Sequence, residues 1–341
     1  MKNRPIDLRS DTFTKPSQEM LEAMMQAHVG DDVFDEDPSI NALQEKAARL
    51  FGMESALFCP SGTMTNQIAI NVHTQAGDEI ICHNYSHIYN YEGGGMAFNS
   101  SCQARLLGGD RGLLDPEEVE KNINPDDIHA ARTSLLSIEN TSNKGGGSCY
   151  KLSTLADLSE IARSHQLGFH LDGARLFNAI VAQGQNCHDY GALFQSISIC
   201  LSKGLGAPVG SLLLGDRGFI AKAKRVRKKL GGGMRQAGYL AAAGIYALDN
   251  NIKRLQEDHD KAKALENALQ ECSWVEKIDP VETNIVIFYL QAGKEEKEFL
   301  NILKEKNVLA IGMGQGKLRF VTHLDTSQSD IDFCCQVLKN L

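Results

Sequence analysis

The sequence predicts an α/β protein with a large, mostly parallel sheet flanked by helices and a smaller C-terminal α+β domain. Three observations lead there. A chain of 341 residues with 42% hydrophobic residues can fill one large core and a second, smaller one. Short apolar segments, "SALFC", "DEIIC", "TSLLSIE", "LGFHLD", "SISICLS" and "GSLLLG", alternate with helical patterns such as "TLADLSEIARSHQ". That alternation belongs to a parallel sheet covered by helices on both faces. Toward the C-terminus the pattern changes to "TNIVIFYL", "EEKEFLNILKEKN" and "KLRFVTHL", which reads as a mixed unit with antiparallel strands. The domain boundary falls near residue 250, with 1–250 as the large domain and its N-terminal arm, and 251–341 as the small one.

Taken in order, "PSQEMLEAMMQAHVG" and "PSINALQEKAARLFG" each open on a Pro-Ser pair and close on Gly30 or Gly52, signals of helix start and stop. In "CPSGTMTNQIAI" a strand passes through Ser61, Gly62 and Thr63 into a helix. The first amides of that helix lack internal partners and point their positive end outward, as a phosphate cradle requires. An ordinary Ser61 or Thr63 N-cap accounts for the same residues. "FHLDGARLF" ends a strand at Asp172 and turns sharply to Arg175, which an ion pair between the two explains. In "SISICLSKGLGAPVG", Ile197, Ile199 and Leu201 alternate with small polar residues, the period of a strand with one face in the core. The strand then releases Lys203 into a turn of Gly204, Gly206, Pro208 and Gly210. Alone, Lys203 reads as a solvated surface lysine. Beside Asp172, it places an amine and an acid on one rim of the sheet, where ligands of open parallel sheets collect. A long helical stretch spans 235–270, and Gly231, Gly232 and Gly233 ahead of Arg235 form either an anion nest or a flexible break.

Composition excludes several classes of function. A net charge of -8 argues against nucleic-acid binding, and the basic run "KAKRVRKK" reads as the solvated side of a helix. Nine scattered cysteines without paired spacing suggest neither a disulfide framework nor a metal site, and fit a reducing cytoplasm. The N-terminal "MKNRPIDLRSDTF" has no signal-peptide core, and no apolar run is long enough to span a bilayer. There is no GxxxxGK[ST], and "GLGAPVG" is not GxGxxG.

An anion cradle, an acid and an amine on one rim meet the needs of pyridoxal phosphate. These residues, with "IDLRSDTFTKP", "HIYNYEGGG", "GGGMRQAG" and "LRFVTHLD", resemble the low-specificity L-threonine aldolases, pyridoxal phosphate enzymes of fold type I, over nearly the whole chain. The resemblance implies a seven-stranded large sheet and retro-aldol cleavage of threonine, allo-threonine and related β-hydroxy-α-amino acids to glycine and an aldehyde. It implies that Lys203 bonds the cofactor aldehyde, Asp172 pairs with the ring nitrogen, and Ser61, Gly62 and Thr63 hold the phosphate. His87 lies over the ring and is the candidate base. Ser10, Arg175 and Arg319 hold the substrate carboxylate, and Arg235 reaches the phosphate of a neighbouring subunit in a homotetramer, a dimer of dimers. The chain departs from the family's frequent "ENTHN" by carrying Ser142 in "ENTSN", and a serine cannot relay protons as an imidazole does. Glu139 and Asn140 are secondary candidates. A β-eliminating lyase and a pyridoxal phosphate-binding protein without turnover remain as alternatives.

Overall fold

The computed structural model describes residues 4–341. Strands from β1 (Ile6–Asp7) to β13 (Lys317–Val321) form three sheets among these residues. The largest contains β2 (Ser55–Cys59), β3 (Glu79–His83), β4 (Gln103–Leu107), β5 (Thr133–Glu139), β6 (Gly168–Gly173), β7 (Ser196–Cys200) and β8 (Ser211–Gly215). Their order is β2-β8-β7-β6-β5-β3-β4. Only β8 runs antiparallel to its neighbours. The short segment 201–210 between β7 and β8 leaves no room for the crossover that a parallel pair needs. The sequence reading missed β4, an edge strand whose Gln103 and Arg105 break the apolar pattern, as edges commonly do.

Alternate residues of the strands serve two different cores. Ala56, Phe58, Leu212 and Leu214 pack with the apolar stripe of the helix Pro38–Phe51, while Leu57, Cys59 and Leu213 pack with Ile68, Phe219 and Ala223 from helices on the opposite face. All five residues of β7 are therefore buried. The serines that alternate with Ile197 and Ile199 do not face water, as a half-exposed strand would have them. They form a hydrogen-bonded polar layer under the helix Gly62–His73.

The small sheet is antiparallel and combines β9 (Val275–Ile278), β10 (Ile285–Leu290), β12 (Ile311–Gly314) and β13 in the order β12-β13-β10-β9. Its own core joins Phe288, Phe320 and Leu318 to Leu265 and Leu269 of the helix Leu255–Gln270 and to Ile331. Leu8 enters the same core, because β1 pairs in parallel with β11 (Val308–Leu309). The N-terminal segment is thus pinned to the C-terminal part of the chain before it enters the large unit.

Two helix expectations need correction. The helix Gln18–Met25 stops well short of Gly30, whose N–H instead donates to Asp37 Oδ2 at 3.2 Å. Gly52, by contrast, does cap its helix in the left-handed region at φ 65°. The stretch 235–270 is two helices, Gly238–Asn250 and Leu255–Gln270. The break is fixed by Asn251 and Arg254, whose side chains donate to Leu205 O at 2.8 Å and Gly204 O at 3.2 Å. No described helix is long and apolar enough to cross a membrane.

Candidate active site

Lys203 is held by its loop rather than left in solvent. Leu201 N–H donates to Gly210 O at 3.0 Å, Ala207 N–H to Leu201 O at 3.1 Å, and Gly206 N–H to Lys203 O at 2.8 Å. This path requires φ 78° at Gly206 and φ 124° at Gly210, values that side chains disfavour. The Thr14 hydroxyl also donates to Lys203 O at 2.9 Å, so the N-terminal arm clamps the loop from outside.

Lys203 opens onto a pocket of about 160 Å³ that Ser61, Gly62, Thr63, Asn66, His87, Asp172 and Cys200 also line. Ser61 is an N-cap, its Oγ accepting the N–H of Met64 at 3.2 Å. The capping role does not exhaust the site. The amides of Gly62 and Thr63, in the first turn, have no intrahelical acceptor and remain for an anion.

Asp172 is buried, and its partner is not Arg175. Its Oδ1 accepts the N–H of Ala174 at 3.2 Å and its Oδ2 accepts Asn66 Nδ2 at 2.8 Å. The same Asn66 nitrogen donates to Glu92 Oε1 at 2.8 Å, so one amide bridges two buried carboxylates. His87, Glu92 and Asp172 each place an oxygen or nitrogen within 4.8 Å of the others, but the two N–H groups of Asn66 already satisfy both acids. Because Asn66 spends both N–H groups there, its Oδ1 accepts, and His170 Nε2, 3.2 Å away, is the donor. His170 Nδ1 then accepts from Ser196 Oγ at 2.8 Å, which in turn accepts from His73 Nε2 at 2.8 Å. A chain of donors thus runs from the helix Gly62–His73 through the polar layer to Asp172. Burial keeps both imidazoles neutral, with His170 pushed down to about 3 and His73 to about 4.

A second cavity of about 570 Å³ adjoins Lys203 and His87 and is lined by Ser10, Tyr91, Asn143, Lys144, Arg175 and Arg319, among others. Arg175 donates from Nε and Nη2 to both oxygens of Asp11 at 2.8 and 2.7 Å, and both residues are buried. Burial opposes the charge on Asp11, yet the adjacent Arg175 outweighs it and holds the carboxyl far below its ordinary range. Arg175 Nη1 and Arg319 Nη1 both donate to Asn143 Oδ1, at 3.3 and 2.9 Å, while Arg319 Nη2 donates to Arg9 O at 3.1 Å. Burial, helped by Arg175, lowers Arg319 to about 10, so it remains charged at neutral pH. Its Nε is buried without a partner among the described residues. Two guanidinium groups that share one neutral acceptor, with a donor left over, suit a carboxylate.

His87 lines both cavities. Its Nδ1 lies 2.9 Å from Glu92 Oε1, an acceptor when ionised, which leaves Nε2 as the ring's acceptor. Burial would push the imidazole down, but the bond to Glu92 and the charges of Asp172, Glu92 and Glu139 raise it overall.

One predicted residue stands apart, as does the serine that replaces the family's frequent histidine. Arg235 is exposed, donates to Asp31 Oδ2 at 2.8 Å and lines neither cavity. Ser142 is buried, accepts the Gly145 N–H at 3.3 Å and lines neither cavity, whereas its neighbours Asn143 and Lys144 do. Sequence reasoning missed Asp11, Asn66, Glu92 and Asn143. Asn66 lies one helical turn beyond Gly62, and Glu92 follows His87 in the quoted "HIYNYEGGG"; both spacings were legible.

The beta-eliminating lyase family model matches residues 7–293. The chain belongs to that family. It is 46% identical over 328 residues to a low specificity L-threonine aldolase of Escherichia coli (strain K12), covering 96% of each chain. It is 40% identical over 337 residues to low-specificity L-threonine aldolase 1 of Arabidopsis thaliana, covering 97% of this chain and 94% of that one. A solved Leishmania major threonine aldolase shares the fold with a TM-score of 0.85 at 21% identity, over 98% of this chain and 99% of that one. The expectations of a fold type I architecture and a seven-stranded large sheet hold for this family member.

Proposed function

We propose that the protein is a pyridoxal phosphate-dependent aldehyde-lyase that cleaves L-threonine, L-allo-threonine and related β-hydroxy-α-amino acids to glycine and an aldehyde. One observation carries the reading: the pocket that joins Lys203 and Asp172 to a helix N-terminus opens onto a cleft with two arginines sharing one acceptor. The donor set fits the cofactor group for group. Lys203 would hold its aldehyde carbon, Asp172 its ring nitrogen, and Ser61, Gly62 and Thr63 its phosphate. When bound, pyridoxal phosphate supplies an electron sink conjugated to the substrate nitrogen.

The chain's own residues do the rest. Arg319 and Arg175, through Nη1, bind the substrate carboxylate, with Ser10 beside them in the cleft. Asp11 already spans the other edge of Arg175, so that arginine serves end-on rather than as a two-pronged fork. Fixing the carboxylate decides which bond at Cα is presented for cleavage. His87 Nε2 accepts the β-hydroxyl proton, a base contribution worth about 10²–10⁴-fold. Glu92 holds the imidazole in the required tautomer, and Asn66 holds the Asp172 side chain in place.

Among the described residues, the pocket has no cationic side chain for the phosphate apart from Lys203 and His87. That absence, together with exposed Met25, Phe34 and Tyr239, supports a homo-oligomer in which Arg235 of one protomer serves its neighbour, and a homotetramer is the arrangement we favour. Free thiols at all nine cysteines support a cytoplasmic setting. The division into 1–250 and 251–341 stands as our domain assignment. The decisive experiment measures glycine and acetaldehyde from each threonine isomer. Pyruvate from serine without glycine from threonine would instead indicate a β-eliminating lyase.

A further inference from the structure

Glu139 closes β5 and is buried, yet it lines neither cavity and has no part in the steps above. Its two oxygens accept from two backbone amides. Oε2 takes the N–H of His87 at 2.6 Å, and Oε1 takes the N–H of Asn143 at 2.8 Å. These amides lead to opposite ends of the site. The His87 ring lines both cavities, whereas Asn143 Oδ1 is the acceptor shared by Arg175 and Arg319. We propose that Glu139 is a positioning residue that fixes the distance between the His87 imidazole and the arginine pair, acting on the pair through Asn143. The inference rests on the aldolase reading for the identity of the ligand, an amino-acid carboxylate.

The chemistry favours a carboxylate at this position. Only an ionised carboxyl offers two acceptor oxygens; a carboxamide offers one, and its NH₂ would oppose the second amide N–H. The Glu139 carboxyl is faced by Asp172, His87, Arg175, Tyr150 and Cys82. Burial, reinforced by Asp172, pushes it up to about 7, so acidification through neutrality releases one of the two ties.

The test uses the holoenzyme and follows glycine binding by the change in cofactor absorbance, without turnover, in wild type, Glu139→Gln, Asn143→Ala and the double variant. Melting temperature and the visible spectrum before glycine serve as controls. Each single variant is expected to retain bound cofactor and to raise the Kd for glycine about tenfold, the loss of one hydrogen bond to a charged group. The double variant should bind no worse than the weaker single, because both substitutions cut one connection. Wild-type affinity should also fall as pH drops below about 7, and Glu139→Gln should not show that fall. Additive losses, or an unchanged Kd in either single variant, overturn the proposal. Should Glu139→Gln fail to fold, Glu139→Asp decides in its place: it keeps the charge and both oxygens but is one methylene too short to reach both amides, and an unchanged Kd for glycine there overturns the proposal. If threonine is not cleaved but the glycine series behaves as stated, the aldolase reading fails and this inference stands.

Discussion

Arg319→Lys separates the charge at the carboxylate site from its geometry. Arg319 makes three demands on one planar group: Nη1 donates to Asn143 at 2.9 Å, Nη2 to Arg9 O at 3.1 Å, and Nε is left over. An ammonium keeps the positive charge but is a single point, so it cannot reach both acceptors and still offer a fork to a ligand. We expect the loss of at least one hydrogen bond to a charged group, about 1.5–3 kcal/mol, which is roughly 10- to 150-fold in kcat/KM for L-threonine. Reaction specificity should loosen as well, because a mobile carboxylate no longer selects the bond presented at Cα. Aldol cleavage and Cα-proton exchange on alanine are measured in parallel, with the spectrum of bound cofactor as the control. If both rates match wild type in a variant that binds cofactor normally, Arg319 does not hold the carboxylate and the reasoning from its three nitrogens is wrong.

Three further outcomes are expected. The purified protein should be yellow, Lys203→Ala should lose the colour, and borohydride reduction followed by peptide mapping should place the label on Lys203; a label on another lysine would refute the assignment. Asp11→Asn strips the charge from a buried pair, where losing a partner costs about 3–5 kcal/mol; with one acceptor retained, about 3 kcal/mol or ~4 °C in Tm is expected, and an unchanged Tm would contradict the buried ion pair. Burial also depresses His170 to about 3 and His73 and His259 to about 4 from an ordinary 6.5. The unfolded chain therefore takes up these protons first, and the stability they contribute is complete above about pH 6.5 and lost as pH falls toward 4. Thermal melts across that window should show the decline, and His259→Gln, remote from both cavities, should show less of it.

The strands that end at the site were legible because they are short, apolar and bounded by turn residues, and Lys203, Asp172 and Gly62 stood out because each interrupts such a pattern. The polar layer was not legible. Ser196 and Ser198 look like residues on a wet face, and only the helix laid over them turns alternation into a buried network. Arg175 was paired in sequence with its near neighbour Asp172, but an arginine's partner is decided by which chain crosses it, and that chain comes from residue 11. Asn143 escaped notice for a related reason. An amide in a glycine-rich loop has no pattern of its own, and its importance comes from two arginines that meet there from distant strands and loops.

The pairing of Ile6–Asp7 with Val308–Leu309 also governs the order in which the protein can mature. On the ribosome, Ser10, Asp11 and Thr14 emerge long before Val308–Leu309, the strand that fixes their direction. Asp11 can settle against Arg175 early, whereas the carbonyl of Arg9 gains its Arg319 partner only when residue 319 has left the exit tunnel. A growing chain therefore carries a finished large sheet with an unfinished cleft while residues 216–319 are made, so the sheet precedes the site that it supports.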